Sequence, residues 1–89
     1  MVDPPKKIAE RLKAVRLALE VKTQVAFAAE IGVEKNTYNP WEKGTRSLTF
    51  EGACLIRRRY GVPLDYLFYG EPAGLPVWLH RRLAELQAA

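Results

Sequence analysis

The stretch that decides the fold is Thr23-Gln24-Val25-Ala26-Phe27-Ala28-Ala29-Glu30-Ile31-Gly32-Val33-Glu34-Lys35-Asn36-Thr37-Tyr38-Asn39-Pro40-Trp41-Glu42-Lys43-Gly44. Thr23 is a good N-cap, because its hydroxyl can accept from an orphan N–H of a first helical turn. Behind it Val25, Phe27, Ala28 and Ile31 form an apolar run, and Gly32 supplies the left-handed residue that stops a helix. A second run from Glu34 to Lys43 offers Thr37, Tyr38 and Trp41 as its apolar stripe and stops at Gly44. The stretch reads as two short helices in close succession, joined through a glycine.

The punctuation continues on both sides. Upstream, Ile8, Leu12, Val15 and Leu19 recur at helical spacing, with Asp3 placed to cap, Pro5 tolerated in the first turn, a Lys6–Glu10 pair at i,i+4, and an end near Glu20. Downstream, Thr49 can cap a helix carrying Phe50, Ala53, Ile56 and Tyr60 that closes at Gly61. Val62 to Phe68 fits a short fifth helix, with Pro63 near its start and Gly70 at its end. Glu71 to Leu75 is a turn, and Pro76 opens a last amphipathic segment with Val77, Leu79, Leu83 and Leu86. No segment reads as a strand and there is no internal repeat. The expected class is all-α: a five-helix domain over 1–70 and a C-terminal extension, 71–89, with a short terminal helix.

At 89 residues, 48% hydrophobic and 27% charged, the chain has the size of one soluble domain. The lone Cys54 cannot form an intrachain disulfide, which points to a reducing compartment. No run approaches the roughly 18 apolar residues of a membrane span, and Met1-Val2-Asp3-Pro4-Pro5-Lys6-Lys7 has no apolar signal region behind it, so a cytoplasmic location is expected. Catalysis is disfavoured by inventory: Ser47, His80 and Cys54 are single residues of their types in unrelated segments. A closed zinc site wants four Cys or His ligands and the chain holds two, so no metal and no cofactor is expected. Fourteen Lys and Arg against ten Asp and Glu, net +4, favour an anionic partner.

Two short helices around a glycine are the local signature of a helix-turn-helix, here Thr23 to Gly44. The detail goes further. Gln24-Val25-Ala26-Phe27-Ala28-Ala29-Glu30-Ile31-Gly32-Val33, then Asn36-Thr37-Tyr38, Trp41-Glu42-Lys43-Gly44 and Tyr60-Gly61-Val62-Pro63-Leu64-Asp65-Tyr66-Leu67, resembles the lambda-repressor-like, Cro/XRE-type family of DNA-binding domains over about residues 7 to 70. The resemblance implies a transcriptional regulator, of repressor type, on a double-stranded DNA operator; the rival reading is a protein-interaction or antitoxin-like module with weakened DNA reading.

In a helix-turn-helix the second helix enters the major groove. Lys35, Asn36 and Asn39 point away from the apolar stripe and carry suitable chemistry, since Lys can donate to guanine and Asn can pair with adenine through two bonds. Gln24, at the start of the preceding helix, suits a phosphate, as in the family, and Thr23, Lys43 and Arg46 are expected to add backbone contacts. The resemblance also implies an ion pair between Arg16 of the first helix and Glu42 of the third. Tyr38, Trp41 and Phe27 are expected in the core. Arg57-Arg58-Arg59 is expected to be a solvated run with Arg57 on the apolar side.

Two departures from the family stand out. Leu19-Glu20-Val21-Lys22-Thr23 lacks the usual glycine between the first helices, and Pro40 occupies a position that often holds a polar base-contacting residue. An interior proline removes one N–H and crowds the carbonyl four residues back, so a kink or break near Asn39 is expected, unless Tyr38 and Trp41 hold the helix straight. A homodimer is expected, through the apolar face of Val77, Trp78, Leu79, Leu83 and Leu86 or through Tyr66 and Phe68; the tail could instead cover its own core.

Overall fold

A computed structural model describes residues 1–88. They form α1 (Pro5–Ala18), α2 (Gln24–Ile31), α3 (Lys35–Lys43), α4 (Phe50–Tyr60), α5 (Leu64–Tyr69) and α6 (Val77–Ala88), with no strand among the described residues. The fold is all-α, as the sequence leads one to expect.

Caps account for the boundaries. Thr23 accepts from the N–H of Ala26 at 3.1 Å and Thr49 from that of Gly52 at 2.9 Å, so each hydroxyl satisfies a first-turn donor. Gly32, Gly44, Gly61 and Gly70 end α2 to α5. α1 ends differently. Glu20 takes the left-handed conformation at φ 62°, its N–H bonds to Leu17 O at 3.0 Å, and that of Val21 reaches Arg16 O at 3.1 Å. This is the double closure in which glycine is the usual left-handed residue, formed here by a glutamate at the cost of some steric strain. Asp3 is not the cap of α1. Pro4 holds that position, while Asp3 pairs with Arg11 and donates its N–H to Phe68 O at 2.9 Å, tying the chain start to α5.

The core is one cluster centred on Leu12 and Val15 of α1, Phe27 of α2, Tyr38 of α3, Ile56 of α4 and Leu67 of α5. Phe27 stacks parallel to Tyr60 at 5.4 Å between ring centroids and meets Tyr38 at 5.3 Å, while Trp41 lies edge-on to Tyr38. Gly52 is required by this packing, because a Cβ there would lie 2.5 Å from the Trp41 ring. α6 closes over α1 and buries Leu79 and Leu83. The tail therefore covers its own core with two of the five residues expected to form an exposed face, and leaves Val77, Trp78 and Leu86 in solvent. Tyr66 is buried as well and cannot lead a dimer contact.

Three further expectations are corrected. Val25 and Phe50 are exposed although their spacing reads as core-facing, Arg57 is exposed rather than snorkelling along the apolar side, and Lys6 with Glu10 is not among the ion pairs of the described residues. The buried stripes are Phe27, Ala28 and Ile31 on α2 and Gly52, Ala53 and Ile56 on α4, and Val25, Phe50 and Arg57 fall outside them.

α3 runs unbroken through Pro40. The expected break near Asn39 does not occur, because both neighbours of the strained turn are anchored: Tyr38 is fully buried and Trp41 nearly so. The proline carbonyl then closes the helix end, accepting from the N–H groups of Gly44, Thr45 and Arg46 at 3.0, 3.1 and 3.2 Å.

Candidate nucleic-acid interface

α2, the turn Gly32–Val33–Glu34 and α3 present one continuous outer surface. On α3 the inward side chains are Tyr38, Trp41 and Glu42; at about 100° per residue the opposite face carries Asn36, Pro40 and Lys43. Lys35, Asn36, Thr37 and Lys43 are exposed on this helix and Arg46 follows in the loop, also exposed. Thr37 is a correction: placed in the apolar stripe by its spacing, it stands in solvent and lines a groove with Asn36, Pro40, Trp41, Arg46 and Ser47.

Asn39 and Gln24 are brought together. The Asn39 amide N–H donates to Gln24 Oε1 at 2.5 Å, linking the second turn of α3 to the first residue of α2. Asn39 keeps one N–H and its carbonyl oxygen, which is the donor–acceptor pair that the N7 and N6 groups of adenine require. Thr23 spends its hydroxyl lone pair on the α2 cap and keeps the O–H as a donor. The Asn39–Gln24 bond puts the start of α2 beside α3, and the N–H groups at a helix start in general favour a bound anion.

Behind this surface lies a buried polar seam. The guanidinium of Arg16 donates through Nε to both oxygens of Glu42, at 3.2 and 3.1 Å, and through Nη2 to Oε1 at 2.8 Å. Nη1 is taken up by the carbonyls of Val21 and Lys22 at 3.0 and 2.9 Å, and the Tyr38 hydroxyl donates to Glu42 Oε2 at 2.6 Å. Burial alone would raise the Glu42 carboxyl; the hydrogen bonds from Arg16 and Tyr38 and the Arg16 charge outweigh it and hold the group below the usual carboxylate range. The same contact raises Arg16, and burial followed by the Glu42 hydrogen bond pushes the Tyr38 phenol up. At neutral pH the seam is fixed as guanidinium, carboxylate and phenol. It joins α1 to the buried face of α3 and also tethers the loop before α2.

One cation escapes any local reading. Lys6 of α1 lies against Gly44, where an added Cβ would come within 3.2 Å of the Lys6 backbone, so an exposed lysine of the first helix sits beside the residue that follows Lys43. Only the docking of α1 on α3 brings them together. Among the described residues no cluster of three His, Cys, Asp or Glu forms a metal site, and no helix is long and apolar enough to cross a membrane.

Comparison with known proteins agrees with this geometry. Searches of curated proteins and of solved structures returned no match. The helix-turn-helix family model matches residues 12–67, from the middle of α1 through most of α5, which is more than half of the chain. The protein belongs to the Cro/C1-type helix-turn-helix family of DNA-binding regulators.

Proposed function

We propose that the protein is a transcriptional repressor that binds a double-stranded operator as a homodimer. Lys35, Asn36 and Asn39 read base edges in the major groove, and Thr23, Gln24, Lys43 and Arg46 hold phosphates, with Lys6 as an added cation. The observation that carries this reading is the division of α3 into two faces. One side is fixed to α1 through the Arg16–Glu42 seam, and the other offers exposed amide and ammonium groups beside the start of α2. Two-fold symmetry would set half-sites about 34–36 Å apart. Val77, Trp78 and Leu86, exposed on α6, are what the expected tail face still offers for a dimer contact.

The test is selection of duplexes from a random library at fixed salt, followed by binding across a salt series. A defined, two-fold-related consensus is expected, with affinity falling steeply as salt rises because phosphate contacts release counterions. Lys43→Ala should weaken all sequences alike and flatten that slope, whereas Asn36→Ala should relax preference at one position. Absence of any duplex binding, with a protein partner retained instead, would move the protein to the interaction-module reading.

A further inference from the structure

We infer that Pro40, with Thr37 beside it, reads the C5-methyl group of a thymine, so that the second turn of α3 contributes sequence selectivity through an apolar contact. The inference rests on the operator-binding reading above. Because α3 is unbroken, Pro40 is not displaced from the groove-facing side; it lies opposite the buried stripe, in line with Asn36 and Lys43. Its ring has no polar atom and its nitrogen has no proton, so it can neither donate to nor accept from a base edge. A base-edge donor or acceptor pressed against it would be desolvated without a partner, which is unfavourable. The one apolar group that unmodified base pairs present in the major groove is the thymine methyl.

The surroundings suit that contact. Thr37, one turn earlier and exposed, lines the same groove and carries a methyl group of its own, and the largely buried Trp41 backs the groove. The Pro40 carbonyl is held by three N–H groups of the following loop, so the ring is fixed before DNA arrives. Pro40 lies about 6 Å along the helix from Asn36. At about 3.4 Å per base pair, the thymine falls one or two pairs from the base that Asn36 meets.

The experiment uses the duplex that the full chain selects. Each thymine is replaced in turn by deoxyuridine, which removes only the methyl group. At one thymine per half-site, affinity should fall about fourfold, the value of one buried methyl-sized group. Replacing the same T·A pair by C·G should weaken binding, and 5-methylcytosine at that place should recover part of the loss. Pro40→Gln, which restores a helical N–H and folds at least as well by thermal melt, should bind the thymine and deoxyuridine duplexes alike. Sequence-specific binding indifferent to every deoxyuridine overturns the inference and leaves the operator reading standing. A deoxyuridine penalty that persists in Pro40→Gln overturns the role of the proline. Absence of sequence-specific binding overturns both readings.

Discussion

Two arginine–glutamate pairs of the same chemistry lie at opposite ends of the usefulness scale in this protein. Arg59 Nη2 stands 2.6 Å from Glu30 Oε2, and Arg16 Nη2 stands 2.8 Å from Glu42 Oε1, so distance would rank the first pair as the stronger. Surroundings reverse the order. The Arg16 and Glu42 side chains are 8% and 2% exposed, against 53% and 44% for Arg59 and Glu30. Arg59 sends both of its hydrogen bonds to a single oxygen, whereas Glu42 uses both oxygens and accepts from a phenol as well. What a bond contributes depends on what its ends would have instead of each other. Water replaces Glu30 at once; nothing replaces Glu42. The buried pair also joins α1 to α3, the second helix of the helix-turn-helix, while the exposed one links α2 to α4, which Phe27 on Tyr60 already holds together.

The largest effect expected from this difference is that of Glu42→Ala. Stranding the Arg16 guanidinium in the interior should cost about 3–5 kcal/mol. For a domain of this size about 4–8 °C accompanies each kcal/mol, so the thermal midpoint should fall by at least about 12 °C. DNA affinity, measured at a temperature where the variant is still folded, should fall too, because the angle of α3 is then less constrained. A midpoint within about 2 °C of the parent would break the comparison.

A smaller effect should appear with acid. The Glu42 carboxyl is held below its ordinary range in the folded protein. It therefore contributes stability at pH values above the unfolded-chain value, near 4.3, and loses that contribution as pH falls through the depressed folded value. The effect is less than that of deletion, since a protonated Glu42 still keeps an oxygen for the guanidinium. The midpoint of the parent should drop on going from about pH 5 to pH 3, and Glu42→Gln should show a shallower slope from a lower start. Parallel slopes for the two proteins would remove Glu42 as a source of the acid sensitivity.

The contrast between the pairs also marks what was legible in the sequence. The stops at Gly32, Gly44, Gly61 and Gly70 and the caps at Thr23 and Thr49 depend on one residue and its own backbone, so they can be read locally. Arg16 with Glu42 is 26 residues apart and became readable only through the family resemblance. Three features had no local signal. Glu20 closes α1 in a conformation that residue type argues against; Lys6 reaches Gly44 through the docking of two helices; Thr37 faces outward because Tyr38 and Trp41 take the interior. Pro40 is the inverse case. Its local signal is strong, and the packing of its neighbours overrides it, as aromatic burial on either side can outweigh one lost rung.

The smallest effect should come from Glu30→Ala. Arg59 loses its carboxylate but keeps a second support, since its guanidinium carbon lies 5.0 Å from the Tyr60 ring centroid. Both side chains already meet water, so removing one leaves no buried charge and no unsatisfied group. Salt screens such a pair, and fixing two long side chains in one geometry offsets much of the attraction. The midpoint should therefore stay within about 2 °C of the parent. Parent and variant should also respond alike to salt raised from about 0.05 to 1 M, a range that takes screening well inside the separation of most surface charges. A loss comparable to that of Glu42→Ala would mean that bond length ranks these pairs after all. In that case the special place of the Arg16–Glu42 seam would have to rest on its position between α1 and α3 and not on its burial.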